Sequence, residues 1–65
     1  MKILVNGAWR ETQCAELAGA LQELGYGGSV VSTAVNGEFI AAALRARTVL
    51  TEGDRIEVLA PMQGG

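Results

Sequence analysis

Two Asn-Gly dipeptides, Asn6-Gly7 and Asn36-Gly37, set the strongest limits on how this chain can fold. Asn-Gly is the pair best suited to the positive φ angles of a tight hairpin turn. Before the first, Met1, Ile3 and Val5 alternate with Lys2, Leu4 and Asn6, which reads as a strand; Ala8 to Glu11, carrying Trp9, is its return. Around the second, Val30 to Val35 is rich in β-branched residues, and Glu38, Phe39 and Ile40 form a short return strand.

Between the hairpins the period changes. Cys14, Leu17, Ala18, Leu21 and Leu24 make one apolar stripe at helical spacing, with Glu16, Gln22 and Glu23 on the other side. The spacing predicts a helix over residues 13–24, with Thr12 as the better N-cap by residue type and Gly25 as its left-handed C-terminal cap. Ala41 to Ala46 reads as a short helical or irregular turn. Thr51-Glu52-Gly53-Asp54 is a turn signal, and Arg55 to Ala60 is the last strand. There Ile56 and Val58 face the core while Arg55, Glu57 and Leu59 turn outward. Pro61 stops the strand by removing a backbone donor. Hairpin, helix, hairpin and strand together predict an α+β fold, with the helix laid across one face of a mixed sheet.

A chain of 65 residues is one domain, and at this size only about 60% of the unfolded surface is buried, so one compact core must suffice. Hydrophobic residues make up 49% of the chain, enough for that core, and a charged fraction of 18% is too low for a disordered composition. The net charge of −2 argues against a nucleic-acid partner. The first residues, MKILVNG, turn polar too soon for a signal peptide or membrane span, so a cytoplasmic protein is expected.

The usual catalytic materials are missing. One cysteine and no histidine make a disulfide or closed zinc site a poor reading. Cys14 falls on the apolar stripe, where a thiol packs as a small hydrophobe. Gly25-Tyr26-Gly27-Gly28 follows a helix rather than preceding one, so it reads as a cap and loop, not a phosphate cradle. Trp9 reads as packing over the sheet edge, with partner contact the alternative.

The tail stands apart. Pro61-Met62-Gln63-Gly64-Gly65 leaves the last strand and finishes on paired glycines. A frayed terminus would accept almost any residues; a functional diglycine would require these. The residues alone leave both readings open.

Taken together, the chain resembles the ThiS family, sulfur carriers of thiamine-thiazole biosynthesis within the β-grasp, ubiquitin-like group. The matching residues are Ile3-Leu4-Val5-Asn6-Gly7, Ala15-Glu16-Leu17 with Leu24-Gly25, Ala34-Val35-Asn36-Gly37-Glu38, Leu50, Gly53-Asp54-Arg55-Ile56-Glu57-Val58 and Gly64-Gly65. Two places depart from the family: Ala41-Ala42-Ala43-Leu44-Arg45 stands where a Pro- and Arg-containing stretch is common, and Cys14 where a leucine is usual. The resemblance implies a β-grasp domain over residues 1–60, its five-stranded mixed sheet packed on one main helix with the first and last strands parallel neighbours. A flexible C-terminal tail, residues 61–65, follows.

It also implies partners: an adenylyltransferase of the ThiF type, related to ubiquitin-activating enzymes, and a thiazole synthase of the ThiG type. The Gly65 carboxylate would be adenylated and then converted to a thiocarboxylate, with Gly64 giving access and Leu59, Met62 and Gln63 meeting the partners. The carrier is then not an enzyme and holds no permanent cofactor: ATP is used by the activating partner, and sulfur rides on the chain end. A carrier for another pathway, of molybdopterin or cysteine type, would use the same tail chemistry; a protein modifier joined through Gly65 to lysines is a further reading.

The chemistry explains the residue types. A carboxylate is a poor electrophile, whereas its mixed anhydride with AMP is open to displacement by sulfur. Glycines keep the strand that enters the partner's site narrow and free in its backbone angles. Five extended residues reach at most about 16–18 Å.

Overall fold

The structure, a computed structural model, describes residues 1–60. The tail residues Met62, Gln63, Gly64 and Gly65, on which most of the expected site falls, lie outside the described residues. Strands β1 (Lys2–Val5) and β2 (Ala8–Glu11) form the first hairpin, followed by helix α1 (Leu17–Glu23). Then come β3 (Ser32–Val35), β4 (Glu38–Ile40), a 3-10 helix (Ala42–Arg47) and β5 (Arg55–Leu59). The sheet order is β2-β1-β5-β3-β4. β1 and β5 run parallel at its centre, and the other neighbours are antiparallel. This is the mixed five-stranded sheet with one helix that the sequence and its resemblance predict.

The turns follow from their residues. Asn6 and Gly7 take φ of 49° and 83°, Asn36 and Gly37 51° and 85°, so both pairs occupy the left-handed region that a type I′ hairpin needs. Gly25, at φ 99°, closes α1: its N–H donates to the Gln22 carbonyl and that of Tyr26 to the Leu21 carbonyl. This is the Schellman pattern, which satisfies carbonyls the helix leaves open. The reading of residues 25–28 as cap and loop therefore stands.

The start of the helix differs from the sequence expectation. α1 begins at Leu17 rather than residue 13, because backbone bonds from residues 15–17 to another segment hold Glu16 extended. Leu17 N–H donates to the Thr48 carbonyl, Leu50 N–H to the Ala15 carbonyl, and Glu16 bridges Val49. Glu16, the residue before α1, accordingly sits at φ −123°, ψ 161° and makes no side-chain cap bond. Thr12 is not the cap either. Its hydroxyl accepts the Cys14 N–H at 3.1 Å and donates to the Glu23 carboxylate, so it ties the end of β2 to the far end of the helix.

The core forms where these elements meet. Ile3 and Val5 of β1, Ile56 and Val58 of β5, Leu17, Ala20 and Leu21 of α1, and Leu50 are buried together. Ala20 replaces the expected Ala18 on the buried face, and Cys14 and Leu24 flank the helix as half-buried side chains against the core. Cys14 thus packs as a hydrophobe, though outside the helix. A Cβ on Gly19 would come within 3.1 Å of the Cys14 Cβ and Sγ, which explains a glycine in mid-helix.

Charge chemistry locks the end of the sheet remote from the tail. Thr51 N–H donates to Asp54 Oδ2 at 2.8 Å, while Asn36 Nδ2 and the Thr51 hydroxyl donate to Oδ1, each at 3.0 Å. The Thr51 backbone bond, then the Asn36 side chain and, least, the Thr51 side chain hold the Asp54 carboxyl below its ordinary value near 3.8, against the opposing effect of burial. A depressed folded value means the unfolded chain binds the proton more readily. The contribution to stability is therefore present above the ordinary value and lost as pH falls through the folded one. In urea titrations from about pH 6 down through the carboxylate range, the advantage of the wild type over Asp54→Asn should shrink as pH falls; a constant gap would refute the carboxylate's role.

Candidate functional site: the exit of the last strand and the open sheet face

Alternation assigns each strand two faces. The register pairs Val5 with Ile56, Val35 with Ile56 and Thr33 with Val58, so these side chains share the face that α1 covers. The opposite face has no helix on it among the described residues. It carries Leu4, Trp9, Arg55, Glu57, Leu59, Ser32, Ala34 and Phe39, placed there by the pairs Leu4↔Trp9, Leu4↔Arg55, Ala34↔Glu57, Ala34↔Phe39 and Ser32↔Leu59.

Leu59 is where the sequence reading put it, on the outer side of β5, with 65% of its surface exposed. Sequence reasoning missed its companion. Phe39 of β4 is 68% exposed and lines a shallow groove on this face with Ser32, Ala34, Glu57 and Leu59. The signal was available: once β3 is registered against β4 and β5, parity carries Phe39 to the Leu59 side. Trp9 departs from its expected packing role. It lies on the edge strand β2 with 61% of its surface open, more than a residue covering the sheet would leave.

β5 delivers the chain to this region. As the central strand it is gripped on both sides, by β1 and β3, and its last residue, Leu59, pairs with Ser32 at the start of β3. The Asn6-Gly7 turn lies at the same end, because β1 runs parallel to β5 with Val5 opposite Ile56. The described residues therefore end on a strand with a neighbour on each side, beside the exposed Leu59–Phe39 surface.

A second hollow, of about 240 Å³, lies between α1, the loop after it and the 3-10 helix. Arg45 reaches across here, Nε donating to the Thr33 hydroxyl at 3.0 Å and Nη2 to the Val31 carbonyl at 2.6 Å. These bonds moor the 3-10 helix, the segment that departs from the family pattern, to β3. Among the described residues there is no group of three or more His, Cys, Asp and Glu side chains placed to hold a metal ion. None of the helices there is long and apolar enough to cross a membrane.

A central parallel strand pair, three flanking antiparallel strands and one helix on a single face define a β-grasp domain. Its relatives make the assignment narrower. The chain belongs to the ThiS family, whose model matches residues 3–65. It is similar in structure to the crystal structure of a thiamine biosynthesis protein (ThiS) from Geobacter metallireducens, with a TM-score of 0.82 and 28% identity over the whole of both chains. No match was found among curated protein sequences.

Proposed function

We propose that this chain is a sulfur carrier of thiamine biosynthesis whose Gly65 carboxylate is the working group. The carrying observation is that the family match runs through Gly64 and Gly65 rather than ending with the folded part. The similar protein's role in thiamine biosynthesis points the same way. In the first step a Gly65 carboxylate oxygen attacks the α-phosphorus of ATP and pyrophosphate leaves, giving an acyl adenylate. In the second a hydrosulfide ion delivered by partner proteins adds to that carbonyl and AMP leaves. The resulting thiocarboxylate is a sulfur nucleophile ready for an acceptor enzyme, a thiazole synthase of the ThiG type.

The carrier's own contribution is positional. An adenylyltransferase of the ThiF type supplies the catalysis, and the carrier brings one carboxylate to it in a fixed relation to a docking face. Leu59 and Phe39 suit that face: both are exposed and apolar, Leu59 at the end of the strand from which the tail departs and Phe39 across β3 in the same groove. Met62 and Gln63 follow within the tail and would line the entrance to the partner's site.

Incubation with ATP, the adenylyltransferase and a sulfur source, followed by intact mass measurement, tests the reading. One oxygen exchanged for sulfur is expected at the chain end. Deleting Gly64 and Gly65 should abolish that shift while leaving stability within about 0.5 kcal/mol, as for changes outside the packed structure. Branched lysine adducts in place of the exchange would overturn the carrier reading in favour of a protein modifier.

A further inference from the structure

The two turn asparagines do more than accept a positive φ. Each reaches across to β5, and they hold opposite ends of it. Asn36 donates its backbone N–H to the Arg55 carbonyl at 2.7 Å, accepts the Arg55 N–H on Oδ1 at 3.0 Å and donates Nδ2 to Asp54. Asn6 donates its backbone N–H to the Ile56 carbonyl at 2.9 Å. Its side chain then takes both backbone groups of Val58: Nδ2 donates to the Val58 carbonyl at 3.0 Å, and the Val58 N–H donates to Oδ1 at 2.8 Å.

The Asn6 amide therefore stands in for a peptide group. β1 ends at Val5 and the chain turns back into β2, so no backbone remains on that side of β5 beyond residue 6. The carboxamide continues the parallel ladder one step further, to Val58, the last buried residue before the exposed Leu59 and Ala60. A glycine would satisfy the turn equally well but would leave both Val58 groups without that partner.

We propose that Asn6 is a positioning residue for the reaction at the Gly65 carboxylate. Its amide holds the β1 side of β5 at Val58, and so the direction from which the tail departs. This rests on the sulfur-carrier reading above. Without the amide β5 beyond Ile56 is held on its β3 side only, through the Ser32–Leu59 pairing, so the direction in which the following segment leaves the sheet is less fixed. Effective concentration at the partner's site falls with that loss of orientation. The docking face is less affected, because Ser32 still pairs with Leu59 from the other side.

The test compares Asn6→Gly with Asn36→Gly, which removes a similar set of bonds from the remote end of the same strand. Adenylation by the partner is followed with each carrier. Asn6→Gly should lower kcat roughly three- to tenfold with little change in carrier KM, and amide exchange at Val58 should accelerate. Asn36→Gly should leave kcat and Val58 exchange unchanged. Asn6→Asp keeps the acceptor for the Val58 N–H and places an oxygen against the Val58 carbonyl; it should fall between, and it serves if the glycine variant does not fold. Equal kcat for wild type and the Asn6 variants, or an equal fall in the Asn6 and Asn36 variants, overturns the positioning role. A wild type that is not adenylated at all refutes the carrier reading instead.

Discussion

One extra residue after Gly65 is expected to drop sulfur loading below detection, although nothing in the folded part has changed. The extension moves the carboxylate about 3.5 Å along the chain. Reactions that depend on positioning lose a large part of their rate over much smaller displacements. Gly65→Ala asks the complementary question, because it keeps the carboxylate in place and adds a single methyl group. Overpacking of that kind costs about 1–3 kcal/mol, which corresponds to transfer roughly 5- to 150-fold slower. Intact mass over a time course with ATP, the adenylyltransferase and a sulfur source separates the three proteins. Normal loading of the extended chain would show that its end is not read in register, and the carrier assignment would lose its main support.

The second large effect concerns the fold that carries the tail. Leu17 is completely buried at the first residue of α1, against the β1 and β5 side chains. Leu17→Ala should cost about 2–5 kcal/mol, the sum of lost transfer energy and the cavity left behind. A domain of this size has only some 3–10 kcal/mol in total. The expected fall in Tm is roughly 8–40 °C, measured by circular dichroism. Val30→Ala, at a residue 80% exposed, is the control and should change stability by less than about 0.5 kcal/mol. If the two variants melt together, the helix–sheet interface is not what holds the domain.

The exposed pair Leu59–Phe39 illustrates how the site divides between sequence and structure. Strand alternation placed Leu59 outward from the residues of β5 alone. Phe39 could not be placed that way, because its face depends on the register of β4 against β3 and of β3 against β5. A one-residue slip in either pairing would turn the phenylalanine inward. The parallel β1–β5 pairing likewise entered through the resemblance to a family and not through any residue pattern, since strand adjacency is a non-local property.

What the sequence determined by itself is what short-range chemistry encodes. Asn6-Gly7 and Asn36-Gly37 adopt positive φ because few other residues tolerate it, Gly25 caps the helix for the same reason, and Ile3, Val5, Ile56 and Val58 point inward because side chains alternate along a strand. The tertiary structure decided the rest wherever a distant segment competed for the same backbone groups. Residues 13–16 have helical spacing, yet pairing of residues 15–17 with 48–50 delays the helix to Leu17. Thr12 has the chemistry of a cap, yet its hydroxyl serves Glu23 at the other end of the helix. Asn6 is legible as a turn residue, but its hold on Val58 spans most of the chain and exists only once β1 and β5 lie side by side. Buried backbone groups must all find partners, and which partner each one finds is settled by the packing of the whole chain.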